Sequence, residues 1–439
     1  MNRAALAFYG DDFTGSSENF AQACRGGLTG RLFFETTDPA RVLHAARGLD
    51  VVGIAGTSRA QSPQEMAQSL PPAFAALAAV GARLVQYKVC STFDSAPGIG
   101  NFATVLEIAR RYWPDAIVPV LPATPSFGRH TAFSNHFSRH QGEILRLDRN
   151  PALVDHPSTP MREADLRRHL MALGCPQVAA IHLPELMRPD DALAALIAER
   201  GASGTPVVLD TVTEDELFHA ASAIWRLSAT SSVFALAAQG LAHGIGRAAS
   251  AARPPQPAAE SSCAILPAVD RLLVISGSCA VQTGRQLAAA EAAGWCMVEI
   301  PAAAVRSEAA AHGVAEQLGA TIDAALVAGR SVAAYTARGA ATLPPDAART
   351  RALGALMADL FRRAVRSGVR RVCFSGGDSS SYAMTHSGAD ALDLAHFDAA
   401  QSCHVFRLAA RDEIDGTEVL LKGGQVGADT FFLDARGRR

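Results

Sequence analysis

Leu6-Ala7-Phe8-Tyr9-Gly10-Asp11-Asp12-Phe13-Thr14-Gly15-Ser16-Ser17 reads as a short apolar strand, a tight polar turn and the start of a helix. The same grammar recurs along the first half of the chain. Apolar runs at 31–34, 51–55, 84–87, 117–120 and 206–209 predict further strands, and Ala/Leu-rich stretches at 16–25, 63–80 and 102–112 predict helices between them. Alternation of this kind favours a mostly parallel sheet, whose ligands sit at the C-terminal ends of the strands. Around 251–268 the composition turns to Pro, Ser and Ala with no apolar period, which reads as a linker. A fresh run at 271–275 restarts the pattern, with strands at 296–300, 331–335 and 371–374 and helices at 282–293, 308–328 and 350–367. The expectation is two α/β domains with mostly parallel sheets, 1–250 and 269–439.

Composition narrows the partners. The 439 residues carry 40 basic and 42 acidic side chains, a net charge of -2, and no basic run beyond the C-terminal Arg-Gly-Arg-Arg. A nucleic acid or an anionic membrane surface is therefore not the expected partner. The chain is 49% hydrophobic and 19% charged, a globular balance that excludes disorder as the dominant state. The first apolar run meets Asp11 and Asp12 too early for a secretion signal, and the most apolar long stretch, 231–252, is broken by Gln239, His243 and Arg247. A cytoplasmic protein is expected. Its eight cysteines are scattered without a C-x-x-C pair and read as small buried hydrophobes rather than disulfides. Only two of the basic residues, Lys88 and Lys422, are lysines.

Four strand ends in the first half carry polar groups suited to chemistry. Asp11 and Asp12 close the first strand, where paired carboxylates can bind Mg²⁺, orient a hydroxyl or act as a base, and where an Asp can equally cap the helix that follows. Thr57-Ser58-Arg59 follows the strand at 51–55. The loop Lys88-Val89-Cys90-Ser91-Thr92-Phe93-Asp94-Ser95 packs a cation, hydroxyls and a carboxylate, with Ser91 and Asp94 as further ligand candidates, and Gly128-Arg129 follows the strand at 117–120. Arg and Lys suit an anionic substrate and carboxylates suit its hydroxyls. The second half has three glycine loops after strands: Ser276-Gly277-Ser278-Cys279, Ser375-Gly376-Gly377-Asp378-Ser379, and Lys422-Gly423-Gly424-Gln425-Val426-Gly427. Such loops let backbone N–H groups approach phosphate oxygens. No P-loop or dinucleotide fingerprint is present. His136 and His140 have the spacing of a helical metal pair but lack a third ligand, and read as polar surface histidines.

In their order along the chain these motifs, with His156-Pro-Ser-Thr-Pro-Met161, resemble the four-carbon acid sugar kinases from about residue 6 to 432. The resemblance implies a sugar-acid-binding N-terminal domain, a nucleotide-binding C-terminal domain, an active site in the cleft between them, and ATP-dependent phosphorylation of the terminal hydroxyl of a tetronate or 3-oxo-tetronate. It also admits a homodimer. Carried over by position, Asp11, Asp12, Ser58, Arg59, Lys88 and Arg129 line the acid-sugar site, and Ser278, Gly376, Gly377, Asp378, Ser379 and Gly424 hold ATP. The Cys-Ser-Thr-Phe-Asp-Ser sequence after Lys88 is similar to the 3-oxo-tetronate branch, while Gly-Ser-Ser-Glu-Asn after Thr14 departs from it. Two other departures, at 229–234 and 400–405, make a non-catalytic sugar-acid or nucleotide sensor the alternative; an oxidoreductase on the same acids lacks its fingerprint.

Phosphoryl transfer asks a protein mainly for positioning and charge neutralisation. On this reading the substrate carboxylate pairs with Arg59, Lys88 or Arg129, and Asp12 is the base, with Asp11 or Asp94 as second choices. The glycine loops, with Lys422, hold ATP and Mg²⁺, and Asp378 is the candidate metal ligand.

Overall fold

A computed structural model describes residues 3–35, 37–156, 158–253, 266–301, 305–339, 347–398 and 403–437. The chain forms two compact units, Met1–Pro255 and Gln256–Arg439. Most of the stretch read as a linker, 254–265, lies outside the described residues, as do 400–402 of the second departure.

The first unit contains β1 (Leu6–Gly10), β2 (Gly30–Phe34), β3 (Val51–Ala55), β4 (Leu84–Lys88), β5 (Val118–Leu121), β6 (Arg129–Ala132), β7 (Asn135–His140), β8 (Glu143–Arg146), β9 (Ala179–Ile181), β10 (Pro206–Leu209) and β11 (Phe234–Ala237). Eight of them form a parallel sheet in the order β2-β3-β1-β4-β11-β5-β10-β9. Continuous apolar runs suit such strands because helices cover both faces. The chain crosses from one side of β1 to the other between β3 and β4, so the end of β1 is a topological switch point. Register aligns the three neighbours there: Gly10 lies opposite Ala55 on one side and Lys88 on the other.

Alternation along β1 sends Tyr9 into an aromatic core. Tyr9 stacks on Tyr87 with ring centroids 5.7 Å apart, and Phe74 meets both edge-on at 6.0 and 6.4 Å. The stretch 231–252, the nearest approach to a membrane helix in the sequence, is β11 followed by the helix Gln239–Ala251, which packs on the helix Phe13–Arg25. No described helix is long and apolar enough to cross a membrane.

Strands β6, β7 and β8 form a separate antiparallel sheet. This corrects the reading of His136 and His140 as surface residues at helical spacing. Both lie in β7, where four residues span about 13 Å, and His136 is wholly buried. Its Nδ1 is 2.8 Å from the Thr131 hydroxyl and its Nε2 is 2.8 Å from the Ser91 carbonyl. The cysteines also divide: Cys175, Cys373 and Cys403 are buried, whereas Cys279 is exposed, and every described cysteine is free.

The second unit holds β12 (Leu273–Ser276), β13 (Cys296–Glu299), β14 (Val332–Tyr335), β15 (Arg371–Ser375), β16 (Ala391–His396), β17 (Val405–Ala409) and β18 (Glu418–Lys422). Their order is β13-β14-β12-β15-β18-β17-β16, parallel as far as β18 and antiparallel beyond it.

Burial lowers the imidazole pKa of both His136 and His169 to about 4. The unfolded chain takes up these protons near pH 6.5 and the folded one does so only near pH 4. Stability is therefore full above pH 6.5 and is lost as pH falls toward 4, on the order of 3 kcal/mol per histidine. Chemical denaturation at a series of pH values should show this decline, and His169→Gln should make it shallower; a pH-independent midpoint between 4 and 6.5 would refute the assignment.

Candidate active site

At the switch point the ends of β1, β3 and β4 deliver two carboxylates and two cations to one place. Asp11 is 1% exposed, and its Oδ1 is 2.8 Å from Arg59 Nη2 and 3.8 Å from Lys88 Nζ. Asp12 Oδ1 accepts from Arg59 Nη2 at 2.8 Å, from Lys88 Nζ at 3.2 Å and from the Gly15 N–H at 3.1 Å. The same side chain is thus the N-cap of the helix Phe13–Arg25, so the capping and functional readings of Asp12 coexist. Backbone bonds secure the cluster, with the Asp11 N–H donating to Lys88 O at 3.1 Å and the Arg59 N–H to Asp11 O at 3.0 Å.

Burial raises the Asp11 carboxyl above its usual range despite the pull of Arg59 and Lys88. For Asp12 burial acts in the same direction, but the ammonium of Lys88 and the guanidinium of Arg59 outweigh it and hold the group well below the ordinary carboxylate value. Asp12 is therefore ionised at any physiological pH. All three of its bonds fall on Oδ1, its side chain is 30% exposed, and Oδ2 remains open to a ligand.

Of the other residues singled out in this unit, Ser58 faces the core, with its Oγ 2.7 Å from the Tyr87 hydroxyl. Asp94 accepts from Thr92 Oγ1 at 2.6 Å, in a loop that Phe93 tightens with a left-handed φ of 59° and a buried ring. Ser91 contributes its carbonyl to His136. The hydroxyls of Ser16 and Ser17, the departure after Gly15, return to the backbone carbonyls of Asp12 and Thr14 within the first helical turn.

Arg129 opens β6, in the hairpin sheet. Its Nη1 donates to the carbonyls of Phe127 at 3.1 Å and Gly128 at 3.3 Å, and its Nε is buried without a partner. Asp210, at the end of β10, fixes this hairpin by accepting from the N–H groups of Phe133 at 2.7 Å, Ser134 at 2.9 Å and Leu183 at 3.1 Å.

In the second unit the three glycine loops leave the adjacent strands β12, β15 and β18. Thr283 Oγ1 lies 3.1 Å from Ser278 Oγ and 2.8 Å from Gly424 O, which ties the first loop to the third. Lys422 completes the knot: its Nζ donates to Thr283 Oγ1 at 3.2 Å, Gly423 O at 3.0 Å and Gly424 O at 3.3 Å. All three of its protons serve the loop. At the middle loop Gly376 has φ +121°, a conformation that L side chains rarely adopt, and the helix Gly377–Thr385 starts there with no side-chain cap. The first-turn N–H groups of an uncapped helix form an anion site. The hydroxyls of Ser375 and Ser380 are buried beside it without partners. Ser379 lies in the same turn. The Asp378 side chain lies outside the described residues, and among those described no group of three or more His, Cys, Asp or Glu could hold a metal ion.

A family model described as a sugar-binding N-terminal domain matches residues 6–245, and one described as a nucleotide-binding C-terminal domain matches 273–432. The chain belongs to the four-carbon acid sugar kinase family. A 3-oxo-isoapionate kinase of Paraburkholderia graminis is 34% identical, over 97% of this chain and 93% of its own. A 3-oxo-tetronate kinase of Methylobacterium radiotolerans is 30% identical, over 98% of this chain and 97% of its own. A solved structure of a Haemophilus influenzae protein shares the fold, with a TM-score of 0.75 at 22% identity over 98% of this chain and 99% of that one.

Two side chains that support these candidate sites are not among the residues the sequence singles out. Asp210 follows an apolar run that was read as a strand, so a carboxylate at its C-terminal end was the available signal. Thr283 has no such signal, because its role depends on a loop 141 residues away.

Gly15 is a tight point of this charge cluster. A Cβ there would stand 1.7 Å from Lys88 Nζ and 2.3 Å from Asp12 Oδ1. Gly15→Ala should displace the ammonium and lower kcat/KM at least about 100-fold, with the unfolding midpoint within a few degrees of wild type. Lys422→Met should raise KM for ATP about tenfold or more while leaving KM for the acid within about threefold, because it loosens only the loop knot. Steady-state kinetics beside thermal unfolding check both.

Proposed function

We propose that this kinase transfers the γ-phosphoryl group of ATP to the terminal hydroxyl of a four-carbon sugar acid of the 3-oxo-tetronate type. The substrate class follows the named activities of relatives that match nearly the whole chain. The state of Asp12 carries the mechanism: one carboxylate oxygen is saturated by three donors, and the other is free, ionised and partly exposed.

The free Oδ2 accepts the hydrogen bond of the terminal hydroxyl and orients its oxygen. As the new O–P bond forms, the bond between the γ-phosphorus and the bridging oxygen breaks, and its electron pair leaves with ADP. The hydroxyl proton passes to Oδ2 and then to solvent. A strongly acidic carboxyl suits a loose transition state, in which the hydroxyl gives up its proton late and the protein contributes chiefly position and charge. Asp11 keeps Arg59 and Lys88 in place behind Asp12.

On the nucleotide side the N–H groups at Gly377 and Ser379 and the hydroxyls of Ser375, Ser278 and Ser380 fit phosphate oxygens, while the Gly376 N–H is spent on Lys422 O at 2.9 Å. Gly424 and Lys422 hold the third loop against them. Mg²⁺, where bound, neutralises charge on the phosphates, and Asp378 is the residue proposed to hold it.

An assay coupled to ADP release, run over tetronates and 3-oxo-tetronates with Mg²⁺, tests the reading. Wild type should turn over at least one acid, and Asp12→Asn should lower kcat by about 10²–10⁴-fold with unchanged ATP affinity. Full activity of Asp12→Asn would remove Asp12 from the chemistry. Calorimetric binding of acid and ATP with no ADP from any acid would favour a sensor instead.

A further inference from the structure

Ligands of parallel sheets gather at the C-terminal ends of the strands, which accounts for the charge cluster at the end of β4. A cavity of about 420 Å³ lies at the opposite edge of the same sheet, where β4 and β11 begin. Strand β4 separates the two places, since Leu84 to Lys88 spans about 13 Å. The volume is that of a small-molecule site.

Arg3 and Arg83 line this cavity, and neither forms an ion pair with a described residue. Each guanidinium is held by one side of its fork. Arg83 Nε donates to Ser228 Oγ at 2.8 Å and its Nη2 to Trp225 O at 2.6 Å, while the plane lies over the Trp225 ring, 3.7 Å from the centroid. Arg3 Nε donates to Gly81 O at 2.6 Å and its Nη2 to Ala82 O at 3.0 Å. The Nη1 donors of both have no hydrogen-bond partner among the described residues. Burial lowers the pKa of Arg83, and the charge of Arg3 lowers it further. Two positive charges thus share one cavity, fixed in advance by carbonyls and a ring, with donors left over and no carboxylate beside them.

The rest of the lining comes from segments that the kinase chemistry does not use. Thr230 and Ser231, in the departure at 229–234, bring hydroxyls to the rim, and the buried Leu77 and half-buried Trp113 supply an apolar wall. We infer that this cavity binds the phosphate group of a small organic phosphate, at a site separate from those for the sugar acid and ATP. A phosphate monoester carries about two negative charges at neutral pH and so matches both guanidiniums, where a carboxylate matches one. The Nη1 groups meet its oxygens, and its organic part lies against Leu77 and Trp113.

Glycerol 3-phosphate is a compact probe for the full-length protein. Its titration at constant ionic strength, followed by calorimetry and by tryptophan fluorescence, should saturate with Kd below about 1 mM. Glycerol should not bind. Glycerate, with one charge, and inorganic phosphate, which leaves the apolar wall uncovered, should each bind at least about tenfold more weakly. Arg3→Gln, at an exposed position, should weaken the ester at least about tenfold with the unfolding midpoint within a few degrees of wild type, and Arg83→Gln should weaken it as well. An Arg3→Gln protein that holds the ester as tightly as wild type would place the ligand elsewhere and overturn the inference. So would the lack of saturable binding by both methods, and equal affinity for the ester and inorganic phosphate would assign the cavity to a free ion instead.

Discussion

The arrangement at the end of β1 depends on holding two adjacent carboxylates against one guanidinium and one ammonium. Asp11 is almost wholly buried and Asp12 is its chain neighbour, so each opposes the charge of the other. Arg59 and Lys88 make the arrangement possible, and they can do so only because β3 and β4 flank β1 in matched register. Removing one member of a buried ion cluster typically costs about 3–5 kcal/mol, since it strands an uncompensated charge. The parallel sheet thus serves as the device that brings three strand ends to one level, and the chemistry is a consequence of that alignment.

The sequence disclosed this much because continuous apolar runs mark parallel strands and because Asp-Asp, Ser-Arg and Lys each follow such a run. It could not tell which polar side chain faces the ligand. Ser58 and Arg59 are adjacent, yet one turns to Tyr87 in the core and the other to the carboxylates. The hairpin sheet stayed hidden for a related reason. Its strands are polar and short, and the spacing of His136 and His140 fits one face of a strand as well as one face of a helix. Long-range ties, such as Thr283 to Gly424 or Asp210 to the turn at Phe133 and Ser134, leave no local pattern to read.

The two lysines of this arginine-rich chain have the same task in the two units. Lys88 lies between carboxylates and Lys422 among carbonyl and hydroxyl oxygens, and each directs its ammonium into a crowded, nearly dry space. A compact ammonium gathers its three donors around one point, whereas a guanidinium spreads its five over a rigid plane that needs more room. Elsewhere arginine serves, as in the exposed ion pairs of Arg146 with Asp148 and Arg338 with Glu291.

The turn at Phe133 and Ser134 has a wider consequence. Both residues take left-handed backbone angles, and the Asp210 carboxylate that accepts from their N–H groups comes from the main sheet. The bridge between Thr131 and Thr211, the His136 N–H bond to Ala164 O and the contact of His136 Nε2 with Ser91 O fasten the hairpin to the rest of its unit at several further points. Only its outward positions, such as Arg139, Glu143 and Ile144, are exposed and bear no load from the core. Substitution can therefore accumulate on the outer face of the hairpin, while its inner face stays bound to the frame that aligns β1, β3 and β4.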